Sequence, residues 1–575
     1  MKLFAALLLV LTFQAHAAVG PGGQFIVGGF DPNSRDNGAQ NARNFENAIP
    51  RLKELGMTSH EVYIRWNLCE IEPGKWDWSV YDPFVEVYKK HQMKWVPFLI
   101  CGSPYSLPDW YYKKPGAQGY VCLEHGEESD VQSLWNPDMR KHVAEFVRAF
   151  CDHYRDSGVI ESILLGVTGN YGEAIYPVTG NDWTADVHGK YHTHPGFWAG
   201  DQFAVAAFRE SIKKKYGTDE KLKQAWGEKA PAIDQVKPFL KKDAPNDRAW
   251  IDFIDFYQGS MTDYARFWLT ETRKNFPNGD IYLCTGGHAP PPHGSDFAEQ
   301  CKAAASVGGG VRITNEASNY AQNFTLTRWV ASAGEQYGAY YSFEPAGMVD
   351  ATGVVARVYN ATASGAKGLH YYYGNLFDTP AATDNFKREG SQFRQRKPIV
   401  EIAVFYPSTH IKLHGQDFID HLKPLRDRFD FDYMSEGQIR DRGLKSCKAL
   451  LLMHGNVMER ETFAAISEWA QSGGLIIRAE GEGPMHDVEG RELSLPREMG
   501  KGAVLGIDAK GKDEKFRQFA ADCLAKAPQL SADTRAMVSA DGKEDKRYVT
   551  LLKDGALLWL NADKGTISVE PVVGR

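Results

Sequence analysis

Between residues 24 and 375 short apolar runs alternate eight times with amphipathic stretches, and few folds accommodate that rhythm. The apolar runs fall at 24–28, 60–64, 94–100, 161–167, 280–284, 310–314, 339–343 and 369–373. Helical spacing of apolar residues marks 41–55, 83–91, 138–154, 251–275, 297–305, 324–335 and 354–363 between them. The runs are apolar throughout and do not alternate, which is the pattern of parallel strands covered on both faces. Eight such strands with intervening helices predict a closed (β/α)8 TIM barrel, an α/β fold. The stretch 176–247, rich in Trp, His and Gly, reads as an insertion after the fourth strand, at the C-terminal rim where such barrels place their chemistry.

A barrel does not use up 575 residues, so further domains are expected. The pattern restarts after Lys397-Pro398. Strand-like runs at 402–406, 449–454 and 475–478 alternate with helices at 418–428 and 461–472, a smaller flavodoxin-like α/β unit. A helix at 513–527 follows, then β-like runs at 547–552 and 556–561 joined through Asp554-Gly555, a hairpin signal. The expected organisation is a barrel over 18–397, the α/β unit over 398–510 and a small β-rich module over 511–575. Residues 1–17 carry Lys2, an apolar run and Ala15 and Ala17 before the expected cleavage point, which predicts a removed signal peptide and export to the periplasm or medium. That run is too short to span a bilayer, so no membrane partner is expected. A net charge of −7 without a basic cluster argues equally against nucleic acid. The eight cysteines form no C-x-x-C pair.

Barrel strands deliver the residues at their C-terminal ends into one bowl, so polar residues there are the first candidates. The fourth run leads into Gly169-Asn170-Tyr171-Gly172-Glu173 and then Tyr176-Pro177. A glycosidic oxygen departs readily only when protonated, which requires a carboxylic acid kept neutral by its surroundings. Glu173, flanked by aromatic rings and glycines, is the candidate acid. Glu344 at the end of the seventh run is the candidate second carboxylate, with Glu316 after the sixth as its rival or a sugar ligand. Trp66, Trp110, Trp183, Trp198, Tyr171, Tyr341 and Tyr371 to Tyr373 are candidate platforms for sugar rings. Asn67, Asn170, Asn315 and Asn375 are candidate hydroxyl ligands. His188, His192 and His194 lie in a Gly-rich loop without a carboxylate at matching spacing, so neither a metal nor a cofactor is expected.

Trp66-x-x-x-Glu70-x-Glu72-Pro73-Gly74-x-Trp76-Asp77-Trp78 resembles the signature after the second strand of family 42 glycoside hydrolases, the β-galactosidases, and Pro108-Asp109-Trp110 is similar to their Pro-x-Trp. The Gly169 to Glu173 segment, with Tyr176-Pro177, resembles the acid-bearing segment of β-amylases; Gly172 stands where family 42 carries Asn before its acid. Units 398–510 and 511–575 resemble the amidotransferase-like trimerisation domain and β module of family 42, although Cys447 lacks a nucleophile elbow. The resemblance implies a homotrimeric, retaining exo-β-glycosidase acting on oligo- or polysaccharide, a β-galactosidase first and a family 164-like β-mannosidase second, with the nucleophile on the seventh strand. An inverting, β-amylase-like hydrolase of α-glucan and a non-catalytic sugar-binding protein are the alternatives.

Overall fold

A computed structural model describes residues 24–178, 192–287, 290–314, 318–344, 349–415, 418–495, 498–540 and 547–572. The predicted leader, Trp183, His188, Asn315 and Glu316 lie outside these residues.

Eight parallel strands close into a barrel: β1 (Gln24–Gly28), β2 (Ser59–Arg65), β3 (Lys94–Ile100), β4 (Ser162–Gly166), β5 (Asp280–Thr285), β6 (Gly310–Thr314), β7 (Tyr340–Glu344) and β8 (Gly368–Tyr372). Register is continuous around the ring, and β1 pairs with both β8 and β2 to close it. Around the strands lie α1 (Gly38–Glu54), α2 (Asp82–His91), α3 (Pro137–Tyr154), α4 (Gln202–Tyr216), α5 (Asp219–Trp226), α6 (Asp247–Asn275), α7 (Phe297–Ala305), α8 (Tyr320–Tyr337) and α9 (Ala351–Ala363). The ends of these helices are set locally. Pro137 opens α3, where its missing N–H costs nothing, and the Asn136 side chain accepts from the N–H of Asp138. Asn246 and Asp296 cap α6 and α7 in the same way.

Two layers of side chains follow from strand parity. Ile26, Val96, Phe98, Ile100, Leu164, Tyr282 and Cys284 fill the barrel itself, whereas Val27, Val62, Ile64, Leu99, Ile163 and Leu165 pack outward under the helices. Polar groups share the interior. Arg312 is fully buried, lies 3.1 Å from Glu61 Oε2 and faces the Tyr282 ring at 4.5 Å, and His370 Nδ1 lies 3.6 Å from the same Glu61 oxygen. Burial pushes the Glu61 carboxyl upward against the opposing pull of Arg312, and the same burial holds His370 well below its ordinary range. The interior is a packed plug, so the open bowl lies only at the strands' C-terminal ends.

A second sheet is built from β9 (Ile402–Tyr406), β10 (Asp432–Ser435), β11 (Ala449–Leu452), β12 (Leu475–Ala479) and β13 (Gly502–Ile507), in the order β10-β9-β11-β12-β13. These strands are parallel, and the antiparallel stub Glu498–Met499 completes the edge beside β13. That order is the flavodoxin-like one. The antiparallel strands β14 (Arg547–Leu551), β15 (Ala556–Asn561) and β16 (Thr566–Pro571) form the last sheet. Arg328 of α8 ties the barrel to the second unit: its guanidinium lies 3.0 Å from Asp430 and 3.3 Å from Asp432, and donates to the Ala363 carbonyl at 2.9 Å. No disulfide joins the eight cysteines, and among the described residues no helix is long and apolar enough to cross a membrane.

Candidate active site

Glu173 sits in a loop that only glycine permits. After β4 the chain turns back so that the Val167 N–H donates to the Gly172 carbonyl at 2.8 Å. Gly169 and Gly172 take φ of +67° and +111°, and a Cβ on Gly172 would stand 2.8 Å from the Phe98 ring and 3.1 Å from the Gly166 backbone. Neighbouring strands hold the loop from outside. Ala174 donates to the Cys284 carbonyl at the end of β5, Ser103 Oγ donates to the Gly169 carbonyl, and Tyr105 Oη donates to the Tyr171 carbonyl. A Cβ on Gly286 would stand 3.0 Å from Glu173 Cγ and 2.2 Å from Thr314 Oγ1, so the Glu173 side chain lies against the ends of β5 and β6. It is 9% exposed, the water-poor setting that a proton donor to a glycosidic oxygen needs.

Three residues later Tyr176 stacks on Tyr257 of α6, with ring centres 3.8 Å apart and planes at 15°, and its hydroxyl donates to the Tyr257 carbonyl. Tyr176 therefore seats the end of the Glu173 loop against α6. Asn170 is buried, and among the described residues neither its amide nitrogen nor its oxygen has a hydrogen-bond partner. An unsatisfied buried amide beside a candidate acid is a group waiting for a hydroxyl.

Arg65 and Tyr105 join the site without having been expected there. The Arg65 guanidinium lies 5.0 Å from the centre of the Tyr105 ring, and its Nε is buried without a partner among the described residues. Burial raises the Tyr105 phenol, the Arg65 charge opposes that rise, and the Glu173 charge adds to it, which places all three within electrostatic reach. Arg65 ends an apolar run, and a lone cation there was the sequence signal available. Asn67 is half-buried and donates to the Tyr105 carbonyl at 3.0 Å, and Tyr372 meets Tyr63 hydroxyl to hydroxyl at 3.1 Å across the mouth between β8 and β2. Glu344 ends β7 in register with Thr314 of β6.

Several expected sugar contacts lie elsewhere. Trp66 is fully buried and donates to Glu70 Oε2 at 2.6 Å, packed edge-on against the half-buried Trp110. Trp198 is equally buried. Tyr341 and Tyr371 have the outward parity and sit in the core beneath the helices; Tyr371 donates to the Val354 carbonyl of α9. Asn375 accepts from the Tyr372 N–H at the start of a short helix, a structural duty. Cys447 is buried and its thiol is pushed up to about 12, which makes it inert.

With the geometry in view, the comparisons fall into two groups. The family model described as Glycosyl hydrolase family 14 matches residues 31–393, the span of the barrel. A β-amylase of Niallia circulans is 24% identical over 291 residues, covering 46% of this chain and 48% of that protein. A β-amylase of Cytobacillus firmus is 24% identical over 258 residues, 40% of this chain and 53% of that one. The chain thus spans about half the length of these curated relatives. Among solved structures, the catalytic domain of β-amylase from Paenibacillus polymyxa covers 65% of this chain and 98% of its own, at a TM-score of 0.54 and 19% identity. The β-galactosidase of Rahnella sp. R3 covers 95% of this chain and 94% of its own, at a TM-score of 0.69 and 12% identity. The structural likenesses establish the fold.

Proposed function

Because the chain belongs to glycosyl hydrolase family 14, we propose that it hydrolyses glycosidic bonds at chain ends with inversion, in the manner of a β-amylase, using Glu173 as the general acid. The observation that carries this reading is the Glu173 loop: a buried carboxyl on a doubly glycine-hinged turn, inside the span matched by the family. Glu173 donates its proton to the departing oxygen. A second carboxylate takes a proton from a water that attacks the anomeric carbon from the opposite face, so one displacement inverts that centre. Glu344 is assigned this base role, and Glu316 the binding of a sugar hydroxyl. Asn170, Tyr372 and Asn67 orient hydroxyl groups, and Arg65 sets a positive charge beside the bowl.

A second reading rests on a different observation. The likeness to β-galactosidase structures runs over 95% of the chain, through both C-terminal units. It favours the retaining β-galactosidase implied by the family 42 resemblance, with the β-mannosidase behind it, and Glu344 as nucleophile. In that case the two carboxyl groups stand roughly 5–5.5 Å apart, against roughly 6.5–9.5 Å for an inverting pair.

Proton NMR of the first product decides between them. Incubation with maltooligosaccharides should release the anomer opposite to the one cleaved. Cleavage of aryl β-galactosides or β-mannosides with the anomer retained would replace the first reading by the second. Export and trimerisation through 398–510 belong to the same proposal.

A further inference from the structure

The loop after β3 and the loop after β4 bring four metal-seeking side chains together. A hairpin of two short strands, Gly119–Val121 and Glu128–Gln132, carries Cys122 and His125 in its connecting turn. The insertion carries His192 and His194, 70 residues from Cys122 in the case of His192. One potential ligand atom from each of these four lies within 4.8 Å of all the others. Cys122 Sγ is 3.7 Å from His125 Nδ1 and 3.6 Å from His192 Nε2. A tetrahedral zinc ion with bonds of about 2.3 Å to sulfur and about 2.0–2.1 Å to nitrogen sets those edges at about 3.6 Å.

From this we infer that Cys122, His125, His192 and His194 form a zinc site that pins the rim of the bowl. One thiolate and three imidazoles select a borderline-soft ion over calcium or magnesium, which take oxygen. Four protein ligands fill a tetrahedron and leave no position for water, so the role is structural. Supporting contacts are already in place. Glu127 Oε2 lies 3.8 Å from His192 Nδ1, on the side of the ring away from Cys122, where a carboxylate orients a ligating imidazole. Nε2 of His194 is buried without a hydrogen-bond partner among the described residues. The backbone brings the two loops together independently of the metal, since Leu123 donates to the Phe197 carbonyl and Gly200 to the Val121 carbonyl. Binding exchanges the Cys122 thiol proton for the metal and releases it to solvent. This inference does not depend on which glycosidic bond is cut.

Metal analysis of the purified full-length protein tests it directly. Elemental mass spectrometry should find one zinc per chain, and stripping with chelator should lower the thermal midpoint until zinc is restored. Cobalt added to the stripped protein should give a thiolate-to-cobalt charge-transfer band that Cys122→Ser abolishes. The Cys122→Ser and His194→Ala variants, checked for folding by circular dichroism, should each hold less than about 0.1 zinc per chain. The inference is overturned if folded wild-type protein, exposed to micromolar zinc and desalted, holds no more zinc than that. Retention of a full equivalent by the double variant overturns it as well.

Discussion

Replacing Glu173 by Gln leaves its packing against Gly286 and the ends of β5 and β6 in place and removes the transferable proton. General acids contribute on the order of 10²–10⁴-fold, so Glu173→Gln should lower kcat on natural oligosaccharides by about 10³. Aryl glycosides whose leaving group departs without protonation should lose far less. Steady-state kinetics on both substrates checks the expectation, and an equal loss on the two would take the acid role away from Glu173. A second residue-scale test concerns His60, which is fully buried, stacked on Phe45 at 3.7 Å and bonded to the Gly29 carbonyl and the Tyr88 hydroxyl. Burial holds its imidazole at about 3 against an ordinary 6.5. Between those values the unfolded chain binds the proton and the folded one does not. The stability His60 contributes is therefore present in full above about pH 6.5 and is lost as pH falls toward 3, on the order of 5 kcal/mol at full extent. The thermal midpoint of His60→Gln should fall less steeply than that of the wild type between pH 6.5 and 4.

At the scale of elements, the acid loop makes the clearest prediction. Gly172→Ala puts a Cβ 2.8 Å from the Phe98 ring at a φ of +111°. The strain should cost roughly 1–3 kcal/mol and displace Glu173, so kcat should fall at least tenfold with little change in KM. The barrel was legible because both faces of each strand are buried, which leaves apolar runs unbroken; β1, β3 and β6 coincide with the runs at 24–28, 94–100 and 310–314. Elsewhere the pattern is weaker. β13 is only partly buried, β10 is four residues long, and α4 and α5 sit in a segment whose Trp, Gly and His content reads as loop. Parity was the harder problem in the site. A shift of one residue along a strand moves a side chain from the bowl to the helix layer, which is why Tyr341 and Tyr371 read as ligands and Arg65 went unseen. The Cys122 and His192 pair is separated by 70 residues and leaves no local spacing to find.

The units share one continuous apolar core, and buried ionic contacts cross between them. Arg328 is buried between Asp430, Asp432 and the end of α9, and removing one partner of such a buried set costs about 3–5 kcal/mol. Arg328→Met leaves two aspartates facing each other, so the unfolding free energy from urea titration should fall by that amount at unchanged m, or the curve should split into two transitions if the units unfold separately. Light scattering at micromolar concentration should find three chains per particle, and a stable single chain would remove the trimer from the proposal. Intact-mass analysis of exported protein should find residues 1–17 absent.

The contacts of α6 reach further than its place in the barrel suggests. At its start Arg248 pairs with Glu459 and Glu489, and Trp250 donates to the Lys412 carbonyl, all in the second unit. Nine residues beyond Arg248, about 13 Å at 1.5 Å per residue, Tyr257 carries the ring on which Tyr176 stacks. A helix is stiff over that distance, so on the proposed role of Glu173 α6 links the second unit to the loop that carries the acid. Tilting it by 5° moves Tyr257 by about 1 Å, and an error of that size at a catalytic group is worth about 10²-fold in rate. Arg248→Ala should accordingly be read in kcat although Arg248 touches no sugar. The matched family span closes at residue 393, so a fall in kcat on Arg248→Ala would tie the Glu173 loop to residues beyond that span.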